Sequence, residues 1–247
     1  MSLQRLKRKL EFLRRTPLHP QWLIGGQNRI LRLIKRYAHG KTLDIGCADR
    51  WVEQHLPQDS RYVGLDYLPT SKMMYDTRPE IYANASDLPF LEDNFDCVIL
   101  LEVLEHLPTP DRALAEIRRV LKPGGYLVLS IPFLYPIHDA PFDFQRLTRH
   151  GLVSRLVANG MQIDHIERTN GTLETLGLLC NIGLVGTVLT SMKQRHPTLI
   201  LAPLVLAFIP VINIIAWSSG KLFPSWEPLT AGYQVVARRP DSAERSA

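Results

Sequence analysis

The sequence predicts an α/β fold: a doubly wound, mostly parallel seven-stranded sheet with an apolar helical insertion before its last strand. Three observations predict it. Short apolar runs alternate with helical patterns from residue 41 to residue 168. One of these runs, "FDCVILL", is apolar almost throughout, as a strand covered on both faces must be. The alternation then breaks near residue 171 and resumes only with "AGYQVVARR" at 231–239.

The elements follow in order. "MSLQRLKRKLEFLRR" sets Leu3, Leu6, Leu10 and Leu13 at helical spacing among Lys and Arg, which predicts a basic amphipathic helix. "NRILRLIKRYAHG" predicts a second helix, closed by Gly40. "KTLDIG", "RYVGLD", "IYANA" and "FDCVILL" read as strands one to four. "TPDRALAEIRRVLKPGG" reads as a helix with Thr109 as N-cap and Pro110 in its first turn, buried through Leu114, Ile117 and Leu121 and stopped by Lys122–Gly125. "YLVLSIPF" is strand five, "LTRHGLVSRLVANG" a helix and "MQIDHIERT" strand six. The expected organisation is therefore basic N-terminal helices over 1–40, a sheet domain over 41–170 and 231–239, an insertion over 171–230 and a polar tail over 240–247.

Composition bounds the class. With 45% hydrophobic and 21% charged residues, a chain of 247 is globular. Cys47, Cys97 and Cys180 are odd in number and widely spaced, which predicts a reducing compartment without a disulfide framework. No secretory signal is visible, so a cytoplasmic location is expected. The charge is uneven: residues 1–41 hold 11 Lys or Arg against Glu11 alone, whereas the remainder is net acidic.

The residues that carry chemistry cluster at strand ends. In "LDIGCADRW", Gly46 permits a tight turn and close approach of a ligand to the backbone. Asp66, 22 residues after Asp44, ends "YVGLD", where a carboxylate can accept both hydroxyls of a ribose. Either Asp could equally serve to cap a strand end. Cys47 has nothing nearby to activate it as a nucleophile. No His, Cys, Asp or Glu series has metal-ligand spacing, and no metal is expected.

"ASDLPFLEDNFDCVILLEVLEHL" and "LKPGGYLVLSIPF" resemble the class I S-adenosylmethionine-dependent methyltransferases, the small-molecule subgroup with an "LPF…FD…EHL…LKPGG" signature. The resemblance covers roughly residues 42–168 and resumes at 231–238. It implies a Rossmann-like fold, transferase activity and S-adenosylmethionine as cofactor. It further implies that Asp44 and Gly46 lie against the methionine moiety, that Asp66 binds ribose, that Asp87 and Leu88 hold adenine, and that Glu102 borders the methyl-donor pocket. Family members usually show Asp-x-Gly-x-Gly-x-Gly, whereas this chain has Asp44, Gly46, Ala48 and Arg50. Ala48 suits an ordinary backbone angle, and Arg50 either narrows the pocket or points outward.

After strand five, "YPIHDAPFDFQRLTRHGL" occupies the position of the family's acceptor-covering loop. His138, Asp139, Asp143 and Arg146 are candidates for binding a hydroxylated or anionic acceptor, and His138 for the general base that an alcohol acceptor needs. A simple Asp143–Arg146 pair is the competing reading for those two. A structural role competes for His106. Because a sulfonium is already an activated methyl donor, alignment in a dry site suffices for transfer.

Thr175–Met192 and Pro197–Gly220 are uncharged stretches of 18 and 24 residues, the length of membrane spans. A two-span hairpin would carry Lys193 and Arg195 to the far side, so a shallow hairpin broken at Pro203 and Pro210 is expected, with Trp217 and Trp226 as interfacial anchors. The alternatives are a soluble lid or a dimer surface. With the basic N-terminal helix, the stretches predict peripheral or monotopic attachment to an anionic membrane surface. The expected acceptor is a small, lipid-linked or membrane-associated molecule such as a glycan or quinone precursor. A catalytically silent partner of a biosynthetic complex is the alternative. Nicotinamide chemistry is disfavoured because "GCADRW" lacks the Gly-x-Gly-x-x-Gly run. Nucleic acid is disfavoured because no aromatic and basic reading surface is evident.

Overall fold

The computed structural model describes residues 11–71 and 78–241. The expected helix over 1–15 therefore falls mostly outside the described residues, and Glu11–Arg15 forms a 3-10 turn. The chain divides into two compact units. One comprises Gly26–Phe133, Ile137–Arg168 and the segment from Gly232, and the other comprises the residues before Gly26, Leu134–Pro136 and Thr169–Ala231.

The first unit is built on seven strands: β1 (Lys41–Ile45), β2 (Arg61–Asp66), β3 (Ile81–Tyr82), β4 (Phe95–Leu101), β5 (Leu121–Pro132), β6 (Gln162–Arg168) and β7 (Gly232–Arg238). Their order is β3-β2-β1-β4-β5-β7-β6, with β7 antiparallel to both β5 and β6 and the other pairs parallel. Helices α1 (Gln27–Tyr37), α2 (Pro110–Val120) and α3 (Arg149–Ala158) cover the faces. The apolar run of β4 is thereby explained. Val98 and Leu100 pack in one cluster with Leu114 and Ile117 of α2 and with Leu152 and Leu156 of α3. Cys97 and Ile99 pack in the other with Ile30, Leu33 and Ile34 of α1. Strand alternation thus delivers successive side chains to two separate apolar layers.

Two boundaries differ from the sequence expectation. Helix α2 ends at Val120, and the chain is already extended at Leu121, which pairs with Phe95. The Lys122–Gly125 segment therefore lies within β5, where it coincides with a register shift and a left-handed Gly124. Pairing to β4 wins over the remaining helical propensity. Strand β3 is only two residues long.

In the second unit, α4 (Thr172–Gln194) and α5 (Ala202–Leu222) pack on each other, joined through a 3-10 turn at Pro197–Leu201. The expected interruption of the second stretch at Pro210 is not found. Pro203 sits in the first turn of α5, where its missing N–H costs nothing, and the helix continues through Pro210. A buried amide pair ties the helices, Asn181 Nδ2 donating to Asn213 Oδ1 at 2.8 Å. Asn213 Nδ2 in turn donates to the carbonyls of Pro17 and His19. Gly177 allows the close approach, since a Cβ there would meet the Ala216 Cβ at 2.5 Å and the Leu23 Cδ1 at 2.8 Å.

Candidate active site

The parallel strands β1, β2 and β4 end on one edge, so their last residues and the turns after them meet there. Gly46 has φ 75°, and any side chain at this position would collide with Val103. Its N–H and that of Cys47 both donate to the Leu65 carbonyl, which folds the turn onto the end of β2. Asp66 is buried at that end. Its Oδ2 accepts from the Ala48 N–H at 3.2 Å and its Oδ1 from the Tyr67 N–H at 2.7 Å. Each oxygen keeps a lone pair, so both ribose hydroxyls can still be accepted.

Asp44 is 2% exposed, and Tyr62 donates its hydroxyl to Asp44 Oδ2 at 2.8 Å. Burial pushes the Asp44 pKa up to about 7; the Tyr62 hydrogen bond opposes the rise and the Asp66 charge adds to it. Burial also raises Asp66, against the hydrogen bonds from Tyr67 and Ala48. Two desolvated carboxylates beside a turn that opens on Gly46 suit a ligand bearing ribose hydroxyls, an α-ammonium and a sulfonium. The residues fit S-adenosylmethionine.

The departures from the glycine pattern are resolved here. Ala48 has φ 45° and Arg50 φ 61°, so the expectation of an ordinary angle at Ala48 is corrected: both positions are left-handed, the region glycine occupies most readily. The Arg50 side chain runs to Glu53 and to Glu80, at 3.0 and 2.9 Å, and its guanidinium stands over the Tyr62 ring. Glu80 meanwhile accepts from the Gly64 N–H. Arg50 therefore braces the Tyr62 that holds Asp44. Cys47 is buried, and desolvation pushes its thiol up to about 12, which leaves no thiolate for nucleophilic work.

Of the adenine candidates, Asp87 is exposed and offers an open carboxylate. Leu88 is buried in the core cluster, so its side chain is less available than expected. Its N–H donates to Glu116 and its carbonyl accepts from Arg119, which locks the turn that presents Asp87. Neither Glu116 nor Arg119 was singled out by the sequence pattern.

Glu102 follows β4 with φ 53°, and Ser130 of β5 donates to its Oε1 at 2.6 Å. Solvent reaches its surface, yet the protein around it raises its pKa by desolvation. Three residues on, the turn Leu104–His106 points Glu105 inward, where it is fully buried. Glu105 Oε1 stands 3.7 Å from His106 Nε2 and 3.9 Å from His138 Nε2, and neither of its oxygens has a hydrogen-bond partner. Burial, followed by the Glu102 charge, pushes its pKa well up. His106 is lowered by burial, against a hydrogen bond to the Phe142 carbonyl.

The loop after β5 is brought to the same place. Asp143 pairs with Arg146 through two contacts of 2.5 and 2.7 Å and accepts the His138 N–H. The Asp143 side chain is 1% exposed, so its oxygens serve the loop and are closed to an acceptor. The helix that follows is capped by Thr148, whose hydroxyl accepts from the Gly151 N–H. His138 Nε2 faces Glu105, which changes the setting of the proposed base. Sequence reading left Glu105 unassigned.

The Arg146 guanidinium holds Asp143 down to about 2. A depressed carboxylate stabilises the fold above its unfolded pKa and loses that contribution as pH falls, here between about 4 and 2. Asp143→Asn is therefore expected to lower stability at neutral pH by about 2 kcal/mol and to flatten the acid limb of thermal unfolding. An unchanged melting profile from pH 5 to pH 2 would show that the pair adds nothing.

Comparison with known proteins agrees with this geometry. Residues 43–129 match the family model described as "Methyltransferase domain". A protein of Mycolicibacterium smegmatis named as a probable S-adenosylmethionine-dependent methyltransferase is 27% identical over 182 residues, 66% of this chain and 67% of the relative. The ubiquinone/menaquinone biosynthesis C-methyltransferase of Escherichia coli is 39% identical over 84 residues, so the match spans only 32% of either chain. A Haemonchus contortus phosphoethanolamine N-methyltransferase, solved in complex with S-adenosyl-L-methionine, shares the fold at a TM-score of 0.51 and 16% identity, over 94% of this chain and 60% of that one. With the β7-antiparallel sheet, the glycine turn and the Asp66 terminus in place, residues 43–129 match a methyltransferase domain, and the chain is similar to the class I S-adenosylmethionine-dependent methyltransferases.

Proposed function

We propose that this methyltransferase modifies a small acceptor held in or at a membrane, a lipid-linked or otherwise apolar molecule. S-adenosylmethionine supplies the activated methyl; Asp66, Asp44 and Asp87 bind and orient it, and the loop carrying His138 and Arg146 covers the acceptor. The observation that carries the membrane reading is the surface of α5 and of the segments that flank it. Ile200 is 84% exposed and Leu222 78%, and Leu204, Phe208, Ile215, Phe223 and Trp226 are also exposed. Each such side chain gains about 1.5–3 kcal/mol on leaving water, a large penalty for a face left in solvent.

Helices of 23 and 21 residues reach about 34 and 31 Å, comparable to a hydrocarbon core of roughly 30 Å. Their charges lie at the ends: Glu174 and Lys221 at the base, Lys193 and Arg195 at the tip. The quinone-pathway name of one relative supports an apolar acceptor.

The test supplies full-length protein with tritiated S-adenosylmethionine and membranes from its own source. Label is expected in the organic-soluble fraction, and the protein is expected to float with anionic liposomes in high salt. Replacing residues 175–220 with a short polar linker should abolish the salt-resistant flotation, because burial of apolar surface is not screened by ions. Label confined to water-soluble products, with protein that stays free of liposomes, would sink the reading.

A further inference from the structure

We infer that Glu105, His106 and His138 form a binding site for a divalent first-row transition-metal ion beside the acceptor loop. The ligand atoms of the three lie within 4.8 Å of one another. Glu105 is fully buried and both of its oxygens lack hydrogen-bond partners, an arrangement costly for a carboxylate unless a cation completes it.

The imidazoles are oriented as ligands. His106 Nδ1 stands 2.7 Å from the Phe142 carbonyl, which can only accept, so Nδ1 carries the proton and Nε2 presents its lone pair toward Glu105. His138 Nδ1 stands 3.2 Å from Asp143 Oδ2, with the Arg146 guanidinium slightly farther at 3.4 Å. In the tautomer that donates from Nδ1 to the carboxylate, Nε2 carries its lone pair and again faces Glu105. A carbonyl or carboxylate behind each ligating imidazole is the support that protein metal sites use.

Distances agree with this reading. Metal bonds of about 2.0–2.2 Å set neighbouring ligand atoms roughly 3.0–3.6 Å apart. The 3.7 and 3.9 Å separations from Glu105 need to close by a few tenths of an ångström, and the two imidazoles, whose ligand atoms lie within 4.8 Å, by up to about 1 Å. Two imidazoles and a carboxylate favour manganese, iron, cobalt, nickel or zinc over calcium or magnesium. Three protein ligands leave positions open for an acceptor oxygen. An alcohol bound there releases its proton to solvent more readily. Its oxygen then bonds the methyl carbon while the C–S pair leaves with sulfur, turning the sulfonium into a neutral thioether.

That use rests on the methyl-transfer reading, but metal uptake can be measured without acceptor. Full-length protein stripped with chelator is titrated with Co2+ and Zn2+, following visible absorption and calorimetric heat. One equivalent of Co2+ is expected to bind and to be displaced by Zn2+. Glu105→Gln and His138→Gln should each weaken uptake by 10-fold or more, whereas His165→Gln on β6 should match the wild type. S-adenosylmethionine affinity, measured in parallel, reports whether each variant keeps its fold; if Glu105→Gln loses it, His138→Gln decides. No uptake by the wild type, or equal uptake by the folded variants, overturns the site. Loss of the site alone leaves the methyltransferase reading standing.

Discussion

Asp66→Ala is expected to weaken S-adenosylmethionine binding by roughly 10- to 100-fold, corresponding to about 1.5–3 kcal/mol for charge-assisted hydrogen bonds. The carboxylate ends β2, is buried, and anchors the Ala48 amide as well as the Tyr67 amide. Two effects therefore add: loss of the ribose acceptor, and release of the turn after β1. Asp66→Asn separates them, because its amide oxygen can still accept while the charge is gone. Calorimetric titration with cofactor and with its demethylated product measures both variants. A dissociation constant unchanged in folded Asp66→Ala would remove the ribose assignment.

Asn213→Leu is expected to destabilise the second unit by about 2–5 kcal/mol, since each polar group orphaned in a dry interior costs about 1–3 kcal/mol. The substitution strands the Asn181 amide and the Pro17 carbonyl, whereas the His19 carbonyl keeps the Trp22 N–H. In detergent, limited proteolysis should then cut near Arg14 and Arg15, and the melting temperature should fall. Asn213→Gln, which retains the groups one methylene farther out, should fall between the two. Wild-type protease resistance in Asn213→Leu would mean that apolar packing around Leu23, Leu178 and Ala216 suffices to hold the segment.

The sheet was legible because burial writes itself into composition. "FDCVILL" corresponds residue for residue to Phe95–Leu101, since both of its faces are covered and no polar residue could sit at its centre. The end of α2 was less legible, because residues that stop a helix do not reveal when a neighbouring strand will capture the chain earlier. At the cofactor turn, spacing marked Asp44, Gly46 and Asp66 only as candidates, and the resemblance carried by the downstream motifs assigned them to a cofactor. The left-handed angles of Ala48 and Arg50 were not, since the compensating Arg50–Glu80 pair joins residues 30 apart. Glu105 was missed for a related reason. His106 and His138 are 32 residues apart and have no metal-ligand spacing in the chain. A usable signal did exist: both follow the ends of adjacent parallel strands, β4 and β5, and such ends converge in space. Pro210 misled in the opposite direction. A proline within α5 withholds one N–H from the Leu206 carbonyl, and a long apolar helix absorbs that loss.

The placement of β7 has a consequence for synthesis. In the sheet it lies between β5 and β6, and among the described residues it is the only strand neighbour of β6. In the chain it follows the whole apolar hairpin. While the ribosome is producing α4 and α5, β6 has no strand to pair with and the edge of β5 stands open. The hydrophobic helices thus emerge before the sheet can close, at the stage when exposed edges and apolar surface are most prone to aggregate. Delivery of the hairpin to a bilayer during translation would remove that surface from water before the last seven-residue strand arrives to complete the sheet.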